Sequence, residues 1–120
     1  MGTIKKSGNL ISLELSVFVY KDTSYPNGNM FIAYCPELDL TGYDTTNKKA
    51  RKSFEYVLKD YLDYTIENGT LEADLLEHGW RKSKNGKINK PTYKELLRRS
   101  QLSTVLEQDK FSKYPYPLFV

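Results

Sequence analysis

The chain has 120 residues, with 18 Lys and Arg against 15 Asp and Glu, a formal net charge of +3, 39% hydrophobic residues and 28% charged ones. That is one domain's length, enough to bury a core without disulfide or metal staples. The apolar share excludes wholesale disorder, no apolar run is long enough to span a bilayer, and one cysteine and one histidine leave zinc fingers, internal disulfides and Cys–His nucleophiles short of residues.

The first residues, MGTIKKSGNLIS, carry two lysines with no apolar stretch behind them. A secretory leader is therefore not expected, and with the lone Cys35 this favours the cytoplasm. Residues 11 to 20 alternate, with Ile11, Leu13, Leu15, Val17 and Val19 on one side and Ser12, Glu14, Ser16, Phe18 and Tyr20 on the other. This period of two predicts a strand. Pro26, Asn27 and Gly28 supply turn chemistry, and a second strand follows, with Met30, Ile32 and Tyr34 opposite Phe31, Ala33 and Cys35, so the two should form an antiparallel hairpin. Pro36 has no N–H for a ladder and marks its end, after which Leu38 to Tyr43 reads as a third short strand.

After Gly42 the period lengthens to that of a helix. Ala50, Phe54, Val57, Leu58, Tyr61, Leu62 and Thr65 recur at three- and four-residue steps, which predicts a helix of about residues 46 to 67. Asp44, Thr45 or Thr46 can cap its start, a cap being the expected role of Asp44 rather than metal binding, and Asn68-Gly69 stops it. The apolar stripe needs a surface, and the preceding strands offer one. The pattern predicts an α+β domain: an antiparallel meander of three to four strands covered by one long helix.

Thr70 can cap a second helix through Leu71, Leu75 and Leu76 that ends at Gly79. A fourth strand is expected around Gly79 to Ser83, with Trp80 buried and Asn85-Gly86 as a tight turn. Thr92 can cap one or two short helices carrying Tyr93, Leu96, Leu97, Leu102, Val105 and Leu106, broken near Ser100. Two prolines keep the tail FSKYPYPLFV extended. Its Leu118, Phe119 and Val120 should dock on the body or on a neighbouring subunit, and self-association as a dimer through strand edges and tail is expected. Residues 1–83 are read as the α+β domain and 84–120 as an extension of short helices and an extended tail packed on it.

No glycine-rich phosphate loop opens a helix. Asp60 and Asp63 fit a solvated helix face, Asp39 and Asp44 stand near strand ends, Cys35 suits a core strand, and His78 suits the last turn of a helix. No catalytic, cofactor-binding or metal-binding residue is expected. Arg81, Lys82, Lys84, Lys87 and Lys90, beside Trp80, form a basic cluster suited at most to weak, salt-dependent nucleic-acid binding.

The run FIAYCPELDLTGYDTTNKKARKSFEYVLKDYLDY resembles the HicB family of antitoxins from toxin–antitoxin pairs. A strand ends in Tyr34 and Pro36, an acidic residue and Leu follow as Glu37 and Leu38, Gly42 sits in the next strand, and Thr46 and Ala50 open the helix. The resemblance covers about residues 11 to 66. It implies a partial ribonuclease H-like fold of three strands, a helix and a further strand, without the catalytic acids of true ribonucleases H. It also implies a non-catalytic protein that binds and neutralises a HicA-type toxin, which cleaves messenger RNA. Many members add a C-terminal DNA-binding module, but beyond Gly79 no pair of helices joined by a tight turn is expected here. The alternative is a stand-alone nucleic-acid-binding or regulatory protein with the same fold.

Overall fold

A computed structural model describes residues 3–7, 10–24, 28–108 and 110–119, the side chains of 3–7, 10–13, 100, 118 and 119 excepted. The alternating run near the N-terminus becomes β2 (Leu10–Asp22), a strand of 13 residues around which the sheet is built. One of its edges pairs antiparallel with β7 (Phe111–Phe119), from Ser12↔Phe119 to Tyr20↔Phe111. The other edge is shared. β1 (Thr3–Ser7) takes Leu10 to Ser12, and β3 (Met30–Cys35) takes Phe18 to Asp22. β4 (Leu40–Asp44) lies outside β3, while the short strands β6 (Ile88–Asn89) and β5 (Arg81–Lys82) extend the sheet beyond β1.

The expected hairpin and meander are thus β2-β3-β4. Gly28 has the positive φ (+59°) expected of the turn, whose Pro26 and Asn27 lie outside the described residues. The third strand starts at Leu40 rather than Leu38, because Pro36 to Asp39 are consumed in the turn and Asp39 takes a left-handed φ of +54°.

Alternation sorts the side chains onto two faces, and both are covered. Leu15, Val17, Val19, Ala33 and Cys35 meet Ala50, Phe54, Leu58 and Leu62 of α1 (Asn47–Glu67), joined by Leu75 of α2 (Leu71–Glu77), Trp80 and Ile88. Phe18, Tyr20, Ile32 and Tyr34 point the other way, against Leu96 of α3 (Tyr93–Leu96) and Leu102 and Val105 of α4 (Ser100–Leu106). The result is helix, sheet, helix in three layers.

Helix ends follow local chemistry, with two corrections. Thr46 caps α1, its Oγ1 accepting from the Lys49 N–H at 3.1 Å, whereas the Asp44 carboxylate accepts from the Thr45 N–H at 2.6 Å and does not reach the helix. Thr70 makes no side-chain cap for α2. Gly69 and Gly79 take positive φ beyond α1 and α2, and Thr92 with Glu95 forms a reciprocal capping box on α3.

The tail pairs with β2 of its own chain, and its register explains its prolines. In an antiparallel strand the N–H and C=O of one residue point to the same edge. Ser16 directs its N–H away from β7, into the opposite edge. Its partner Pro115, and Pro117 opposite Glu14, therefore stand where a missing N–H would have faced outward rather than toward β2.

Gly42 sets the distance between β4 and α1. A Cβ built on it would lie 2.3 Å from the Phe54 nitrogen and 2.5 Å from its Cα, both backbone atoms of α1 that no rotamer change can move. Gly42→Ala is expected to force the helix off the sheet and to destabilise the fold by about 3 kcal/mol, read as a lowered urea midpoint with unchanged slope.

Candidate functional site

Ser12 pairs with both β1 and β7, and Phe18 pairs with both β3 and β7, so β1 and β3 occupy the same edge of β2 and leave its residues 13 to 17 without a strand. Glu37 fills this gap. The turn after β3 carries its side chain back into the sheet, where its carboxylate accepts from the Ser16 N–H at 3.1 and 3.2 Å and from the Cys35 thiol at 3.4 Å. Lys90 closes the arrangement. Its Nζ lies 3.7 Å from Glu37 Oε2 and donates to the Glu14 carbonyl at 3.2 Å. The Trp80 indole N–H donates to the Glu37 carbonyl at 2.7 Å. Glu37 is 2% exposed, so an unpaired carboxylate here would be costly, and the backbone N–H plus the lysine are what make its burial tolerable.

The thiol beside Glu37 and three phenols elsewhere in the fold are pushed toward their neutral forms. Burial, then the adjacent Glu37 carboxylate, pushes the Cys35 thiol well up, which suits a core residue and not a nucleophile. Burial, then the hydrogen bond its hydroxyl donates to Asp39 at 2.9 Å, raises Tyr34. The same causes raise Tyr61, which donates to Asp74, and bring Tyr116, which donates to Glu55 at 3.1 Å, up to about 12.

Each residue that carries the family resemblance has a defined place here. Tyr34, Pro36, Glu37, Leu38 and Ala50 are buried, Gly42 is the point of closest approach to α1, and Thr46 is its cap.

The basic cluster does not assemble into one free surface. Arg81 pairs with Glu95 at 2.5 Å, Lys82 with Glu72 at 2.8 Å, and Lys90 is turned into the Glu37 site. Lys84 and Lys87 stay exposed on the turn between β5 and β6. His78 sits at the end of α2, its Nδ1 2.8 Å from the Asp74 carbonyl and 3.4 Å from its carboxylate. Among the described residues no group of three or more His, Cys, Asp or Glu is placed to hold a metal ion, and no helix is long and apolar enough to cross a membrane.

The pairing of Lys90 with the Glu37 site was not visible in the sequence, since 53 positions separate them; the one local signal was an acidic residue between two buried apolar stretches. Compared with protein-family models, curated proteins and solved structures, the chain matches none.

Glu37→Ala removes the acceptor of the Ser16 N–H and strands Lys90, and is expected to cost about 3 kcal/mol in denaturant unfolding. Glu37→Gln, which retains one acceptor oxygen, is expected to cost less. The phenols give a pH dependence. Their folded pKa values lie above the unfolded value of about 10, so the stability they contribute is complete below that pH and is lost as pH rises through the folded values. Denaturation followed from pH 8 upward should therefore show a falling midpoint beyond about pH 10, reduced in Tyr61→Phe.

Proposed function

We propose that this chain is a HicB-type antitoxin, a non-catalytic cytoplasmic protein that binds and neutralises a HicA-type mRNA-cleaving toxin. The observation that carries the reading is the coincidence between the family-like residues and the positions that shape the backbone. Tyr34 to Leu38 make the strand end and turn that seat Glu37, Gly42 brings strand and helix together, and Thr46 and Ala50 start the helix. These are positions that a shared backbone would constrain, and that is what supports the reading. The antiparallel sheet with one long helix across it is compatible with the HicB-like arrangement. Such a protein acts by occlusion, and its work lies in a surface and not in a reactive group.

The test is co-expression with the adjacent short reading frame. Induction of that frame alone should arrest growth and deplete messenger RNA, and co-induction of this chain should restore growth and yield a co-eluting complex. The chain alone should leave labelled RNA intact with Mg²⁺ or Mn²⁺. Persistent arrest while both proteins accumulate, or cleavage by this chain that Asp39→Asn with Asp44→Asn abolishes, would refute the reading.

A further inference from the structure

One line of residues along the solvent face of α1 is antisymmetric in charge about a single position, with Glu55 and Lys59 exposed beside it. Opposite the buried stripe of Ala50, Phe54, Leu58, Leu62 and Thr65, the exposed side chains of Lys49, Lys52, Tyr56, Asp60 and Asp63 fall along a single line. Tyr56 stands near the middle of the helix. Four residues toward the N-terminus is Lys52 and four toward the C-terminus is Asp60; three further on each side are Lys49 and Asp63.

This charge order runs against the helix dipole. The first turn holds Lys48 and Lys49 and no acid, and the last turn holds Glu67 and no base. At the basic end the side chains of Lys48, Lys49 and Lys52 are exposed and have no ion-pair or hydrogen-bond partner among the described residues. At the acidic end the exposed Lys59 pairs with Asp63 at 2.6 Å and also feels the charge of Asp60. Tyr56 is 66% and Tyr64 68% exposed, large aromatic surface left in water on the same helix. A pattern that breaks a local rule at both ends of a helix, and does so symmetrically along one line, points to a contact outside the chain.

We propose that this face binds α1 of a second copy of the protein, antiparallel, about a two-fold axis through Tyr56. A two-fold contact is self-complementary, each residue meeting the one at its mirrored position. Lys52 then opposes Asp60 of the second copy, Lys49 opposes Asp63, and Tyr56 meets its own equivalent, the ring pair taking an offset or edge-to-face arrangement. Antiparallel alignment also sets each helix's positive end beside the other's negative end, so the order that is unfavourable in one copy becomes favourable in two. Strand addition is a poorer route to a dimer. The tail is already paired with β2, the outer edge of β7 lacks donors at Pro115 and Pro117, and the outward N–H of Tyr43 on β4 donates to Ser53 Oγ of α1 at 3.2 Å. The proposal stands independently of the antitoxin reading.

Charge swaps test it. Lys49→Glu with Lys52→Glu makes every charge on that line acidic, and Asp60→Lys with Asp63→Lys makes every one basic. Both pairs move the charges toward the order the dipole favours, and Lys49→Glu also completes a Thr-x-x-Glu capping pattern with Thr46, so both proteins should keep their helical circular dichroism. Light scattering is expected to give a dimeric mass for the unaltered protein that falls with added salt, a monomeric mass for each double variant alone, and a dimeric mass again when the two variants are mixed. An unaltered chain that is monomeric at every concentration, whatever other anion its lysines bind, would overturn the proposal. So would double variants that remain dimeric, or a mixture that does not reassociate.

Discussion

The sheet depends on a single buried carboxylate. Its central strand has one edge paired with the tail from Ser12 to Tyr20 and the other divided between two strands that do not meet, and the backbone between them needs an acceptor that neither can supply. Glu37 provides it from a four-residue turn, and the need to bury that charge then dictates what surrounds it: a lysine from beyond β6, an indole from the end of α2, and a thiol that must stay protonated. β2, the turn of the meander and the residues flanking β5 and β6 are tied to one another at this point. Buried ionic groups add little to stability by themselves, but an unpaired one is costly, so the arrangement selects a single register for β2.

The edges of the sheet are treated in the same way throughout. Where a strand partner is missing, a side chain or a proline takes its place: Glu37 inside the gap of β2, Ser53 against β4, and Pro115 and Pro117 along β7. At those positions a backbone donor that could pair with another chain is removed or already satisfied.

The elements that rest on local periodicity were legible in advance. The hairpin of β2 and β3, the helix from Thr46 to Asn68, the burial of Trp80 and the capping by Thr92 all follow from repeats of two or 3.6 residues and from cap and turn residues acting on neighbours. The misplaced details are also local in origin. Asp44, Thr45 and Thr46 are equal candidates by residue type, and only the direction in which β4 enters the helix chose Thr46. β1, with the sequence TIKKS, has no alternation to announce it and is a strand because β2 and β6 flank it.

By itself, then, the sequence determined which of the strongly periodic segments are strands and helices and which of their faces are apolar, because those properties reside in residues within a few positions of one another. Only the tertiary structure decided what the charged and terminal residues do. Lys90 looked like part of a basic cluster and became the partner of a buried acid; the tail, expected to dock on the body or on a neighbouring subunit, became the strand beside β2; α3 and α4, expected only to pack on the domain, cover the second face of the sheet. These outcomes depend on which distant groups are left without a partner when the sheet assembles, and a carboxylate or an unpaired N–H has no sequence period that would reveal it.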